Sequence, residues 1–378
     1  MDNKHIDPLI IGDLEIKVPI IQGGMGVKVS TAPLAAAVAN CGGAGTIASV
    51  GLVYGTDEKR KGFAEASNEA LHKEIQKARK LTGGVVGVNI MVALSNYEDL
   101  VRTAAEEKVD FIVSGAGLPL SLPEFTKGTS VKLIPIVSSG RAAELIIKAW
   151  KRRYNRMPDA IIVEGPMAGG HLGFRLEDLK SKETTSLESL TRDILKIVRK
   201  YELESGADIP LIAAGGIFDG KDIARFLKLG AQGVQMATRF VATYECSASY
   251  EFKKLYIEAE EKDTVIINSP VGLPGRSIRT KFVNKVLNDP RTPFKCPYKC
   301  LRSCDPNTVP YCIARALCNA VIGDLDNAIV FAGSNVARVK EIVSVKELID
   351  EVVNEAIEEL NNPQRGIFSE AAPERVVL

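Results

Sequence analysis

The sequence predicts a (β/α)8 barrel, the TIM-barrel architecture, over residues 1–240, and a small, mainly helical cap domain over residues 241–378. Three observations carry this reading. Short apolar runs recur eight times in the first two-thirds of the chain, they tend to end in Gly, Ser or Asn, and amphipathic segments separate several of them. Continuous apolar runs fit strands buried on both faces, as a parallel sheet covered by helices requires. Strands alternating with helices make βαβ units, and a long series of them points to a closed barrel.

In order, the runs are VPIIQGG (18–24), GAGTIAS (43–49), VVGVNIM (85–91), DFIVSGAG (110–117), LIPIVSSG (133–140), AIIVEGP (160–166), PLIAAGGI (210–217) and GVQMATRF (233–240). APLAAAVAN follows the first, NYEDLVRTAAEEK the third, and LESLTRDILKIVRKYELES precedes the seventh, each patterned as a helix. GKDIARFLKLG, between the last two runs, has its apolar positions at helical spacing. From about 241 the texture changes. YEFKKLYIEAEEK reads as a helix, NSPVGLPGRS as a Gly/Pro loop, and NDPRTPFKCPYKCLRSCDPNTVPYC as a segment rich in Pro and Cys. IARALCNAVIGD and SVKELIDEVVNEAIEEL again read as helices. A doubly wound open sheet is the competing architecture, but no Gly-x-Gly-x-x-Gly turn follows the first strand.

Composition narrows the partners. Lys and Arg total 48 against 47 Asp and Glu, a formal charge of +1, so no global field gathers nucleic acid or an anionic membrane. A small molecule is the expected partner, and a homo-oligomer is compatible with the sequence. The N-terminal MDNKHIDPLIIGDLEIK lacks the apolar core of a secretion signal. Val29 to Thr56 carries no charge, but its Pro33, Asn40 and five glycines suit a buried helix–turn–strand unit rather than a membrane span. A cytoplasmic protein is expected. Seven cysteines without a secretion signal argue against a disulfide framework.

In this barrel the C-terminal strand ends and the loops after them form the active face. QGGMG (22–26), AAGGI (213–217) and QMATRF (235–240) fall there. Glycine lets backbone N–H groups approach a ligand closely, and phosphate sites in such barrels use the loops after strands seven and eight. Gly215, Gly216, Ala237 and Thr238 occupy those loops, so a phosphate-bearing cofactor is expected. Of the three histidines, His5 and His72 lie in polar surroundings that suggest solvated surface positions. His171, in EGPMAGGHLGF (164–174), lies just past the sixth strand on the active face, where imidazole suits proton transfer near neutral pH.

QGGMG, GVNIM, SGAGLPLSLP, IPIVSS, VEGPMAGGHLGF, IPLIAAGGI and GVQMATRF occur in this order, and together they resemble the nitronate monooxygenase (2-nitropropane dioxygenase) family over roughly residues 15–340. Flavin-dependent enoyl-acyl carrier protein reductases and NADH:quinone reductases are similar as well. The resemblance implies FMN as cofactor, an alkyl nitronate or nitroalkane and O2 as substrates, and carbonyl compounds and nitrite as products. It implies that backbone at Gly23, Gly24 and Met25 contacts the isoalloxazine and that Asn89 hydrogen-bonds it. Ser138 lies where strand five nears the flavin, and Gly170, Gly215, Gly216, Met236, Ala237 and Thr238 hold the phosphate end. His171 then faces substrate. Some relatives carry a Lys at the end of strand five, where this chain has Ser138 and Ser139, with Lys132 at the opposite end.

Weaker candidates are read structurally. Glu164 is expected to bind N–H groups of the GPMAGG turn, Ser114 to contact ligand or cap its turn, and Arg276 to sit on the surface. Cys296, Cys300, Cys304, Cys312 and Cys318 run C-x3-C-x3-C-x7-C-x5-C, which matches neither zinc pairs nor ferredoxin runs. A packed, reduced turn without metal is therefore expected. Two alternative functions are an NAD(P)H-dependent FMN reductase of quinones or enoyl thioesters, and a non-catalytic flavin-binding redox sensor or complex subunit.

Overall fold

The structure, a computed structural model, describes residues 5–54, 62–181, 185–288, 294–296 and 298–362. Part of the uncharged stretch (residues 55 and 56), part of the Pro- and Cys-rich segment (289–293 and 297) and the end of the expected cap (363–378) lie outside the described residues. Among these residues no helix is long and apolar enough to cross a membrane.

Eight strands form one sheet: β1 (Ile20–Gln22), β2 (Gly45–Ala48), β3 (Val86–Met91), β4 (Phe111–Gly115), β5 (Lys132–Val137), β6 (Ile161–Glu164), β7 (Leu211–Ala214) and β8 (Gly233–Met236). Every pair along it is parallel, and β8 pairs back onto β1. A parallel bridge between Ile21 and Ala44, with Gln22 N–H donating to Ala44 O at 2.9 Å, closes the ring between β1 and β2. All the expected strands are present, because runs buried on both faces are continuous in the sequence.

Side chains alternate between two cores, as the period of two along a strand demands. Ile21, Phe111, Val113, Ile134, Ala160, Ile162, Ile212 and Ala214 fill the inside of the barrel, while Ile161, Val163, Leu211 and Ala213 face the helices. The hairpin Leu9–Ile11/Leu14–Ile16 plugs the bottom, adding Leu9, Ile11 and Ile16 to the inner core. The same alternation aims Gly23, Asn89, Ser138, Glu164, Gln235 and Ala237 inward at the open top. That is what makes the site.

The outer helices are α1 (Ala32–Asn40), α2 (Phe63–Leu81), α3 (Tyr97–Glu106), the short α4 (Leu122–Phe125), α5 (Gly140–Tyr154), α6 (Leu187–Ser205), α7 (Gly220–Leu229) and the single turn α8 (Thr238–Val241). Ser139, Ser186 and Asp219 cap α5, α6 and α7 through their side-chain oxygens, each cap contributing about 1 kcal/mol. Gly206 and Gly230 end α6 and α7 in the left-handed conformation. Each helix buries one stripe, such as Leu187, Leu190, Ile194 and Val198 of α6.

Beyond β8 come α9 (Tyr250–Glu258), β9 (Thr264–Asn268), β10 (Pro274–Ile278), α10 (Lys281–Asn288), α11 (Ile313–Ile322), β11 (Val330–Phe331) and α12 (Val345–Asn361). The segment read as a Gly/Pro loop is in fact the end of β9, a turn and the start of β10. Its antiparallel sheet also takes in the short strand Gly170–His171. Helix α12 lies on α7. Gly220 N–H donates to Glu355 Oε2 at 2.9 Å, and a Cβ on Gly220 would stand 2.4 Å from Val352 O. Glycine there lets the two helices cross in contact.

Candidate active site

A cavity of about 440 Å³ opens at the top of the barrel, in the size range of small-molecule sites. Gly23, Gly24, Met25, Asn89, Ser138, Gly170, His171, Gly215, Gly216, Met236, Ala237 and Thr238, the residues singled out from the sequence, all border it. The glycines keep the space open. A Cβ on Gly24 would lie 2.3 Å from Asn89 Cβ. Gly215 and Gly216 have φ of 87° and 106°, and a Cβ on Gly216 would come 3.1 Å from Met167 Cβ. Met236 turns its side chain into the outer core and offers backbone, its carbonyl accepting from Gly23 N–H at 2.8 Å. The residues fit FMN: a glycine-lined cradle after β7 and β8 suits a phosphate, and an inward amide on β3 suits a flavin edge.

His171 stands where the β6 loop meets the antiparallel sheet of β9, β10 and β11. Its two-residue strand pairs with Gly275 and Arg276, its ring meets Phe331 edge-on at 5.0 Å, and Nε2 lies 2.7 Å from Ser269 Oγ. Ser269 Oγ also accepts from Val271 N–H at 3.3 Å, which fixes the hydroxyl in the β9–β10 turn. Burial pulls the His171 pKa down to about 4.

Glu164 corrects its sequence reading. It points inward at the end of β6 and borders the cavity, and no hydrogen bond reaches its carboxyl from the described residues. Burial pushes its pKa up to about 8. At neutral pH the carboxyl therefore holds its proton while the imidazole does not, which moves His171 away from the near-neutral titration expected of an imidazole on the active face. The 165–169 turn is held by other groups. Gly165 N–H donates to Ala214 O at 2.8 Å, and Arg276 Nη1 donates to Pro166 O and Ala168 O, both at 2.6 Å. Arg276 is thus a half-buried brace of the turn that carries His171, not a surface residue.

Of the other candidates, Ser139 borders the cavity beside Ser138, and Ser114, Lys132 and His72 fall outside it. Ser114 faces outward on β4, bonding Tyr97 Oη at 2.8 Å and Ile90 O at 3.0 Å. Ser139 caps α5, and Lys132 pairs with Asp13 at the far end of β5. His72 is exposed and meets Glu107 at 2.7 Å. Sequence reasoning missed Ser269, Phe331, Gly333 and Asn335, all supplied by the chain beyond β8. Asn335 Nδ2 donates to Gly216 O at 2.8 Å, and Gly333 N–H to Thr238 Oγ1 at 3.1 Å. Only a Ser opening a Gly/Pro turn hinted at the first of them.

Comparison with known proteins agrees with this geometry. The nitronate monooxygenase family model matches residues 7–107 and 93–355. A probable nitronate monooxygenase of Staphylococcus aureus (strain JH9) is 30% identical over 309 residues, covering 72% of this chain and 78% of that protein. FabK from Thermotoga maritima superposes with a TM-score of 0.69 at 30% identity, covering 91% of this chain and 94% of that one. A nitroalkane oxidase from Streptomyces ansochromogenes shares the fold, with a TM-score of 0.70 at 22% identity over 91% of this chain and 97% of that one.

Proposed function

The chain belongs to the nitronate monooxygenase family and is an FMN-dependent oxidoreductase, and from that premise we propose that it oxidises alkyl nitronates and nitroalkanes with O2 to carbonyl compounds and nitrite. His171 is the proton acceptor in this reading. The observation that supports it is a neutral imidazole, oriented by Ser269, on the wall of a glycine-lined cavity. Bound FMN supplies the acceptor for the substrate's electrons and their passage to O2.

The protein's part is to hold both molecules and move one proton. Gly23, Gly24 and Met25 would contact the flavin ring by backbone, with Asn89 as its hydrogen-bond partner and Ser138 at the end of β5. Gly170, Gly215, Gly216, Met236, Ala237 and Thr238 would hold the phosphate end. For His171 Nδ1 to take a substrate α-proton, Nε2 must carry the hydrogen and donate it to Ser269 Oγ. A pKa of about 4 leaves the ring unprotonated at neutral pH, and the nitronate anion formed beside it favours the imidazolium during transfer. A preformed nitronate has no such proton to lose and needs only orientation. Release of nitrite with consumption of O2 tests the reading. Protein that carries FMN and yields nitrite from neither nitroethane nor its nitronate would remove it.

A second reading, NAD(P)H-dependent reduction of a quinone or enoyl thioester, draws on Glu164. A carboxyl that keeps its proton at neutral pH is a donor, which reduction needs and oxidation does not. Rapid NADPH oxidation dependent on an enoyl thioester, abolished in Glu164→Gln, would favour it.

A further inference from the structure

The strap of chain between β11 and α12 bonds to all three loops, after β6, β7 and β8, that form the proposed phosphate end of the cavity. Gly333 N–H donates to Thr238 Oγ1 at 3.1 Å in the β8 loop, and Ser334 N–H to Met167 O at 3.1 Å in the β6 loop. Asn335 Nδ2 donates to Gly216 O at 2.8 Å in the β7 loop. Ser334–Arg338 makes a short 3₁₀ turn, and Arg338 closes it by pairing with Asp219 at 2.5 Å and lying 4.1 Å over the Phe218 ring. The fit is tight. A Cβ on Gly333 would stand 2.9 Å from Thr238 Oγ1, and one on Gly169 would stand 2.5 Å from Gly333 N.

No lysine or arginine among the described residues lines the cavity. Arg239 and Arg338, which flank these loops, are each taken by a carboxylate, Glu351 at 2.8 Å and Asp219 at 2.5 Å. A phosphate held here is therefore met by N–H and O–H groups, and the direction of each donor decides how well it is held. The Gly216–Ile217 peptide is trans, so its C=O and N–H point in opposite directions. Asn335 draws the Gly216 carbonyl towards the strap, which turns the Ile217 N–H away from it. Ile217 is buried and borders the cavity, and no acceptor among the described residues meets its N–H. A buried N–H normally has a partner. Thr238 obeys the same logic: its oxygen accepts from Gly333 N–H, so its own hydrogen is left to donate.

We propose that Asn335 is a positioning residue for the flavin phosphate, orienting the Gly216–Ile217 peptide so that the Ile217 N–H, with the Thr238 hydroxyl, donates to that group. The proposal rests on the reading that places the phosphate at the β7 and β8 loops. It assigns the strap a task distinct from holding the fold together: the contact of Asn335 matters to a flavin that carries a phosphate and not to one that lacks it. Loss of the amide leaves the Ile217 N–H in place but frees its peptide to turn. A well-directed hydrogen bond to a charged group then becomes a poorly directed one, a loss of about tenfold in affinity.

The test uses the full chain loaded with FMN and equilibrated against a graded excess of riboflavin, which lacks the phosphate. Bound flavin is extracted and separated, and the half-exchange point gives the preference for FMN. Asn335→Ala should lower that preference about tenfold while holding riboflavin as tightly as wild type does. Asn335→Asp, nearly the same shape, cannot donate to Gly216 O and sets a negative charge beside the phosphate. Its preference should fall about 100-fold and recover in part at high salt. An unchanged preference in both variants would overturn the proposal, and so would equal loss of both flavins, which would make Asn335 a structural brace alone. A wild type with no preference for FMN would remove the phosphate end from these loops and the proposal with it. Flavin exchange needs no substrate, so failure of the nitronate reading would leave the proposal standing.

Discussion

Replacing His171 by Asn should separate the two proposed substrates of this enzyme. The amide keeps nearly the shape of the imidazole and can still meet Ser269 Oγ, but it cannot take a proton. A general base contributes roughly 100- to 10,000-fold. Burial that draws the imidazole down to about 4 makes it a weak base, which argues for the lower end of that range. Turnover of a neutral nitroalkane should therefore fall about 100-fold, and turnover of the preformed nitronate by no more than about threefold. The same burial fixes the pH profile. Wild-type kcat/KM on the neutral nitroalkane should stay level through the ordinary histidine range and fall only as pH nears about 4. Initial rates of nitrite release, normalised to bound flavin, measure both quantities. Equal losses on the two substrates would make His171 an anion-binding group, and an acidic limb near pH 6.5, the ordinary imidazole value, would refute the burial argument. Ser269→Ala should reproduce part of the loss, by about tenfold, because it frees the tautomer rather than removing the base.

Gly216→Leu should lower flavin occupancy, since φ of 106° and a Cβ 3.1 Å from Met167 leave no room for a side chain. Absorbance of purified protein reads this directly, and full occupancy would move the phosphate end elsewhere. Glu164 makes a stability prediction. The folded chain keeps its proton to about pH 8, whereas an unfolded carboxyl gives it up near 4.5, so between those values the folded state binds more protons. Stability should therefore fall as pH rises across that window, and the slope of Tm against pH should flatten in Glu164→Gln.

Most of the barrel was legible because each strand is buried on both faces and so reads as an unbroken apolar run. Its glycines were legible for a related reason: a tight turn at a strand end has little space for a Cβ, as at Gly24 against Asn89 and Gly216 against Met167. The chain beyond β8 was less so. β9 and β10 hide behind Pro270, Gly272, Pro274 and Gly275, which read as breakers, and only pairing across the sheet and with Gly170–His171 makes them strands. Ser269, Arg276 and Asn335 depend on that pairing, so their roles could not be seen in the sequence. The pKa order of Glu164 and His171 was hidden too, because desolvation acts on position and not on residue type.

Anaerobic mixing tests the central claim most directly. Protein carrying FMN is mixed with propyl nitronate, NADH or NADPH in separate runs, and the loss of oxidised-flavin absorbance is followed. Rapid bleaching by the nitronate, with admission of O2 restoring the colour and releasing nitrite, is the result expected. Bleaching by NADH or NADPH, with none by the nitronate, would contradict the account and assign the cavity to a reductase.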